Sequence, residues 1–311
     1  MRPLACLLLL LAAGCGPGSR APAPLPRGVA WVPRGSPWTP GPLEVQVRDL
    51  AEGEMEAPRP LRLHAPAAPG TYAVVQFQHG FTADVRTYDV VLSHLASHGF
   101  VVVAPQMYPA NGIPLGKPWA AWEAEDAEAV AAWSVRHAAA VAGSAATGSP
   151  LGLVGHSRGG KVAWLLAKGG RVPLSGLVGV DPVDGTGSAL LAAQAEALPG
   201  PVEGLPRSLV IGMELGGACA PEGDNYAHFF ARTSAPTRLA VVSGHGHGDM
   251  LDPEVGTGGL CLEGPDKARA RATVAGLVTA QLRAWMYGDD TVNGPLGSGA
   301  GAPLEVALDA R

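Results

Sequence analysis

The stretch PLGLVGHSRGGKVAWLLA, residues 150–167, limits what this chain can fold into more than any other. A short apolar run enters Gly155-His156-Ser157-Arg158-Gly159, and a helical pattern leaves it. A strand that turns sharply into a helix needs small residues around the turn, and Gly155, Gly159 and Gly160 supply them. Such a turn lifts the Ser157 hydroxyl out of the sheet edge, at the helix N-terminus. The same alternation runs through the chain. YAVVQFQHG, GFVVVAPQ, LSGLVGVDP, RSLVIGME and TRLAVVSGHGH read as buried strands. VRTYDVVLSHLASHG, WAAWEAEDAEAVAAWSVRH and DKARARATVAGLVTAQLRAWMYG read as helices. Strands alternating with helices predict an α/β fold, a mostly parallel sheet covered by helices on both faces.

The ends of the chain read differently. Arg2 followed by the apolar residues 4–13 forms a secretory signal too short to span a bilayer. LAAGC at residues 11–15 resembles the lipobox of bacterial lipoproteins, with Cys15 as the lipidated residue. The expected organisation is a signal peptide at 1–14 and a lipidated, Pro/Gly-rich tether at 15–42. A domain at 43–287 and a loose tail at 288–311 follow, with LEVAL able to add a short strand. Export as a membrane-anchored lipoprotein, on the periplasmic or outer-membrane face of a bacterium, follows from that leader. Membrane contact would then run through the lipid anchor alone. With Cys6 and Cys15 assigned there, Cys219 and Cys261 remain, and an oxidising compartment favours a disulfide between them. Formal net charge is −5 with no block of like charge, which speaks against a nucleic-acid partner. Trp119, Trp122, Trp133 and Trp164 are expected in the core or an interface.

A serine hydroxyl is a poor nucleophile alone. It needs a base to take its proton and a carboxylate to fix the base's tautomer. SGHGHGDMLD, residues 243–252, ends a late strand and offers His245 or His247 as base. The H-x-H-x-D spacing also suits part of a zinc site of the metallo-β-lactamase type. That site wants a histidine after the aspartate, where Met250 stands, and more ligands later, yet no histidine follows His247. No metal and no cofactor are therefore expected. Asp249 and Asp252 read as loop-structuring residues, and His94 and His98 as the exposed side of a helix. Asp181, at a strand's C-terminal end before Pro182, is favoured as the acid over Glu214, the carboxylate at the end of RSLVIGME. Asp184 reads as a turn residue.

These residues resemble the chlorophyllase branch of the α/β-hydrolases, with polyester-degrading and dienelactone hydrolases further off. HGFTADVRTYDVVLSHLASHGFVVVAPQ is similar to the family's first oxyanion loop and the elements after it. GHSRGGK is similar to its nucleophile elbow, GVDPVDG to its acid loop and GHGDMLD to its histidine loop; CAPEGDNYAHFF resembles a further family loop. The resemblance implies Ser157 as nucleophile, Asp181 as acid and His247 as base, with His245 the alternative base and Glu214 the alternative acid. Main-chain N–H groups of Arg158 and Phe81 would form the oxyanion hole. It also implies chlorophyll's phytyl ester as substrate, whereas the residues themselves support hydrolysis of a carboxylic ester, bulky or polymeric as readily as small. The short link between VDPVDG and RSLVIG leaves no room for a large cap domain. The alternatives are a surface lipoprotein that only binds in a hydrolase-like cleft, and a transacylase or peptidase on the same scaffold.

Overall fold

A computed structural model describes residues 35–109, 120–143, 145–185, 197–234, 236–253, 259 and 261–311. The signal, Cys6, Cys15 and most of the expected tether lie outside them, as does Trp119.

Nine strands make one sheet: β1 (Val45–Leu50), β2 (Leu61–Pro66), β3 (Thr71–Gln78), β4 (Phe100–Pro105), β5 (Ala145–His156), β6 (Leu174–Val180), β7 (Ser208–Leu215), β8 (Thr237–Gly246) and β9 (Val306–Ala310). Their order is β1-β2-β4-β3-β5-β6-β7-β8-β9. The six strands from β4 to β8 are parallel, and β1, β2 and β9 are antiparallel at the two edges. Being covered on both faces, the central strands are continuous apolar runs. Along β3, Ala73, Val75 and Phe77 pack toward α1 (Asp89–Ser97) and α5 (Lys267–Leu282). Tyr72 and Val74 join the cluster under α2 (Ala120–Ala142) on the opposite face, where α3 (Arg158–Gly169) and α4 (Tyr226–Arg232) also lie. Only residues 181–207 separate β6 from β7, too few for a large cap between these strands of the α/β-hydrolase sheet.

Both expected chain-end boundaries move outward. Residues 288–311, expected as a loose tail, form α6 (Asn293–Ser298) and then β9, which pairs with β8 from Arg238↔Ala310 to Val242↔Val306. Within the expected tether, Trp38 is buried, its indole pressed onto α5 where a Cβ at Gly276 would come within 2.2 Å of the ring. Its Nε1–H donates to the Ala300 carbonyl at 3.1 Å, joining the two ends. His94 and His98 are consequently not exposed. Their Nε2 atoms meet the carbonyls of Pro37 and Thr39, each at 2.9 Å, and the strap buries both rings. On α2 the buried face runs through Glu123, Ala127, Val130 and Ser134, which leaves Trp122 at the surface while Trp133 is fully enclosed. Trp164 is enclosed in the same way.

Burial of neutral imidazoles sets an acid limit on stability. Desolvation holds His79 and His98 down to about 4, and His94 and His156 are also lowered by burial. An unfolded histidine titrates near 6.5, so between about 6.5 and 4 the unfolded chain binds protons that the fold refuses. The stabilisation is complete above 6.5 and is lost as pH falls toward 4; His79 alone accounts for about 3 kcal/mol. The urea midpoint should drop steeply from pH 7.5 to 4.5. A flat midpoint over that range would contradict neutral burial.

Candidate active site

The strand-to-helix turn is tight. Ser157 has φ 55 and ψ −124, a left-handed position that side chains rarely adopt. A Cβ at Gly155 would sit 2.2 Å from the Gly159 carbonyl oxygen, and one at Gly159 would sit 2.2 Å from that of Gln78. A Cβ at Gly160 would meet Pro182 at 2.5 Å. The glycines let α3, the β3 end and the β6 loop close around Ser157. The Ser157 amide donates to the Val180 carbonyl, and the Ser157 carbonyl accepts from Val183 N–H.

That contact brings the acid loop alongside. Asp181 follows the last residue of β6, fully buried, with φ 41. Its Oδ1 accepts from Met213 N–H at 3.0 Å, and its own N–H donates to the Ile211 carbonyl. Its Oδ2 lies 2.6 Å from Nδ1 of His247, which comes from the loop after β8. A carboxylate only accepts, so Nδ1 carries the proton and the neutral ring's lone pair is on Nε2. The ring of His247 lies 4.6 Å from that of His156, the neighbour of Ser157.

The alternatives go elsewhere. His245 has Nδ1 on the Ser243 carbonyl at 2.9 Å, and its Nε2 accepts from Asp266 N–H at 3.3 Å. Glu214 is exposed, and its Oε2 accepts from Gly244 N–H at 2.6 Å. Asp249 Oδ2 accepts from Gly246 and Gly264 N–H groups, so the three side chains of H-x-H-x-D have three separate sets of partners. Asp252 accepts from Val90 N–H. Both aspartates structure the histidine loop. Cys219 and Cys261 are bonded to each other beside a bridge between Gly217 and Cys261. The bond ties the loop after β7 to the segment carrying Leu262, whose carbonyl a Cβ at Gly246 would strike at 1.8 Å.

Phe81 lies in the loop after β3, and the amides on either side of it are taken by tyrosines. Gly80 N–H donates to Tyr88 Oη at 2.9 Å, and Thr82 N–H to Tyr108 Oη at 3.0 Å. His79 Nδ1 and Tyr108 Oη both donate to the Gly80 carbonyl. Arg158, the first residue of α3, sends its side chain to Glu123, with Nε 2.7 Å from Oε1, in a pair buried beneath the site. Burial pushes the Glu123 carboxyl up, against the pull of the Arg158 guanidinium. The same guanidinium stands 5.2 Å over the Phe81 ring. The two residues expected to supply oxyanion N–H groups thus touch through their side chains.

Sequence reading missed the groups that support this site. Asp184 is no simple turn residue: it is fully buried and accepts from Ala197 and Leu198 N–H groups at 2.6 and 3.1 Å. Lys161 Nζ and His228 Nε2 approach it at 3.1 and 2.8 Å. The only trace of this in the sequence is a lysine one turn into the helix after Ser157.

A family model described as Chlorophyllase matches residues 36–294. Chlorophyllase-1 of Arabidopsis thaliana is 33% identical over 271 residues, 79% of this chain and 82% of that protein. Chlorophyllase-1, chloroplastic, of Citrus sinensis is 35% identical over 255 residues, 75% of this chain and 74% of that one. Chlorophyllase-2 of Arabidopsis thaliana is 34% identical over 266 residues, covering 75% and 79%. With most of its length matched, and with an α/β-hydrolase sheet beneath the match, this chain belongs to the chlorophyllase family.

Proposed function

We propose that this chain is a serine hydrolase of carboxylic esters. The observation that carries the reading is the 2.6 Å contact of Asp181 Oδ2 with His247 Nδ1, beside a Ser157 held in a left-handed elbow. In the proposed cycle His247 Nε2 takes the Ser157 proton as Oγ attacks the ester carbonyl. N–H groups of Phe81 and Arg158 stabilise the oxyanion. His247 returns the proton to the departing alcohol, leaving an acyl-serine. Water, deprotonated by His247, attacks that ester; the acid leaves and Ser157 recovers its proton. Asp181 stays ionised and holds the tautomer throughout. The names of the relatives point to chlorophyll as one ester to try, and the short link between β6 and β7 suits a bulky acyl or alcohol part. Placement as an exported, lipid-anchored protein is supported by the leader of residues 1–15, and the Cys219–Cys261 bond suits an oxidising compartment.

Labelling with a fluorophosphonate followed by peptide mass spectrometry tests the reading directly. Ser157 should carry the phosphonyl group, and EDTA should change neither labelling nor p-nitrophenyl butyrate hydrolysis. A chain that leaves Ser157 unmodified would refute the nucleophile and favour a cleft that only binds.

A further inference from the structure

Two buried polar side chains beside Ser157 have no part in the proposed cycle. Tyr88 is fully buried and His156 nearly so. Tyr88 Oη lies 2.9 Å from His156 Nδ1, and His156 Nε2 lies 3.1 Å from the main-chain oxygen of His247. Together with the bond from Gly80 N–H, these contacts make a chain whose direction is forced from both ends. A backbone N–H only donates, so Tyr88 Oη accepts from Gly80 and gives its own proton to Nδ1. A backbone carbonyl only accepts, so His156 donates from Nε2. One tautomer fits, and a ring with one nitrogen donating and the other accepting is neutral.

The partners come from three strand ends. Gly80 precedes Phe81 in the loop after β3, His156 precedes Ser157 at the end of β5, and His247 follows β8. Tyr88 and His156 are 68 residues apart, and His156 and His247 are 91 apart. The space is closely filled: a Cβ at Gly80 would come within 3.1 Å of Tyr88 Oη and 3.2 Å of His156 Nδ1. We infer that Tyr88 and His156 are positioning residues that hold the oxyanion loop and the His247 loop in register with Ser157. The inference rests on the esterase reading and adds two residues to it. Neither touches substrate. The relay acts by fixing where Phe81 N–H and the His247 ring stand, and an error of about 1 Å there costs on the order of 100-fold in rate.

Tyr88→Phe, made in the full chain, keeps the ring that packs 4.8 Å from Phe77 and removes only the hydroxyl. It should lower kcat on p-nitrophenyl butyrate about 10- to 100-fold with KM within about twofold, and move the thermal midpoint by a few degrees. His156→Leu should act alike, and the double variant should lose no more than the worse single one, since either change breaks the same chain. Ring ¹⁵N spectra give a readout independent of turnover. His156 should hold its proton on Nε2, and Tyr88→Phe should shift the Phe81 amide and the His247 ring together. A Tyr88→Phe enzyme within twofold of the parent kcat, single losses that multiply, or a proton on Nδ1 would each overturn the relay. If the parent chain neither hydrolyses esters nor takes fluorophosphonate at Ser157, the esterase reading falls instead. The relay is then judged on the tautomer and the paired shifts alone.

Discussion

Replacing Ser157 with alanine is expected to lower kcat on p-nitrophenyl butyrate by on the order of 10⁴- to 10⁶-fold while the fold survives. In the proposed cycle the rate falls because the variant lacks the hydroxyl that His247 deprotonates. What remains is binding and whatever the oxyanion donors give to a water. The fold survives because the Ser157 side chain caps nothing. A serine at the start of a helix ordinarily gives its oxygen to a helix N–H, and losing it costs about 1 kcal/mol. Here the left-handed backbone swings the side chain off α3, and no such capping bond forms. The left-handed cost falls on alanine much as it falls on serine, so urea midpoints of parent and variant should agree closely. Steady-state kinetics beside urea denaturation decides the matter. Activity that survived in Ser157→Ala and died with EDTA would shift the chemistry to His245, His247 and Asp249, and the triad would be wrong.

How much of this was legible beforehand depended on how local each cause is. The elbow is legible because its signature is contiguous in the sequence: an apolar run, then Gly155, Gly159 and Gly160 around Ser157, then a helical pattern. Asp181 and His247 were legible as strand-end residues, though choosing His247 over His245 needed the family resemblance. In the structure both nitrogens of His245 are engaged by Ser243 and Asp266, whereas Nδ1 of His247 meets Asp181. The chain ends were misjudged because their order is imposed from far away. Residues 35–42 are Pro- and Gly-rich and look like linker, yet Trp38 fills the space that Gly276 leaves on α5. His94 and His98 were misplaced for the same reason, as the strap that covers them has no trace within α1. Trp122, expected in the core or an interface, lies on the exposed face of α2, because the buried face runs through Glu123, Ala127, Val130 and Ser134. Tyr88, His156 and Asp184 do not stand out in the sequence, because what sets them apart is contact across tens of residues.

Asp181→Asn is expected to cost about 10⁴-fold in kcat with KM little changed, and the chemistry of the amide explains why. Asp181 accepts two hydrogen bonds in the native site, from Met213 N–H on Oδ1 and from His247 Nδ1–H on Oδ2. An asparagine offers one oxygen and one NH₂ in the same shape. If its oxygen stays with Met213, the NH₂ faces His247 and needs a lone pair on Nδ1. That drives the ring proton to Nε2, where it blocks removal of the Ser157 proton. If the oxygen turns to His247, a buried NH₂ faces the Met213 N–H, and two donors oppose each other at a cost of roughly 1–3 kcal/mol. The first arrangement should win, giving a folded enzyme with the wrong tautomer. The backbone does not interfere, because asparagine tolerates the φ of 41 as well as aspartate does. Glu214→Gln supplies the contrast. Glu214 accepts only from Gly244 N–H, and its glutamine can still accept there, so kcat should stay within about twofold. Measured side by side, the two substitutions separate the carboxylate that orients the base from the one that braces a turn. A large loss at Glu214→Gln with little at Asp181→Asn would reverse the assignment.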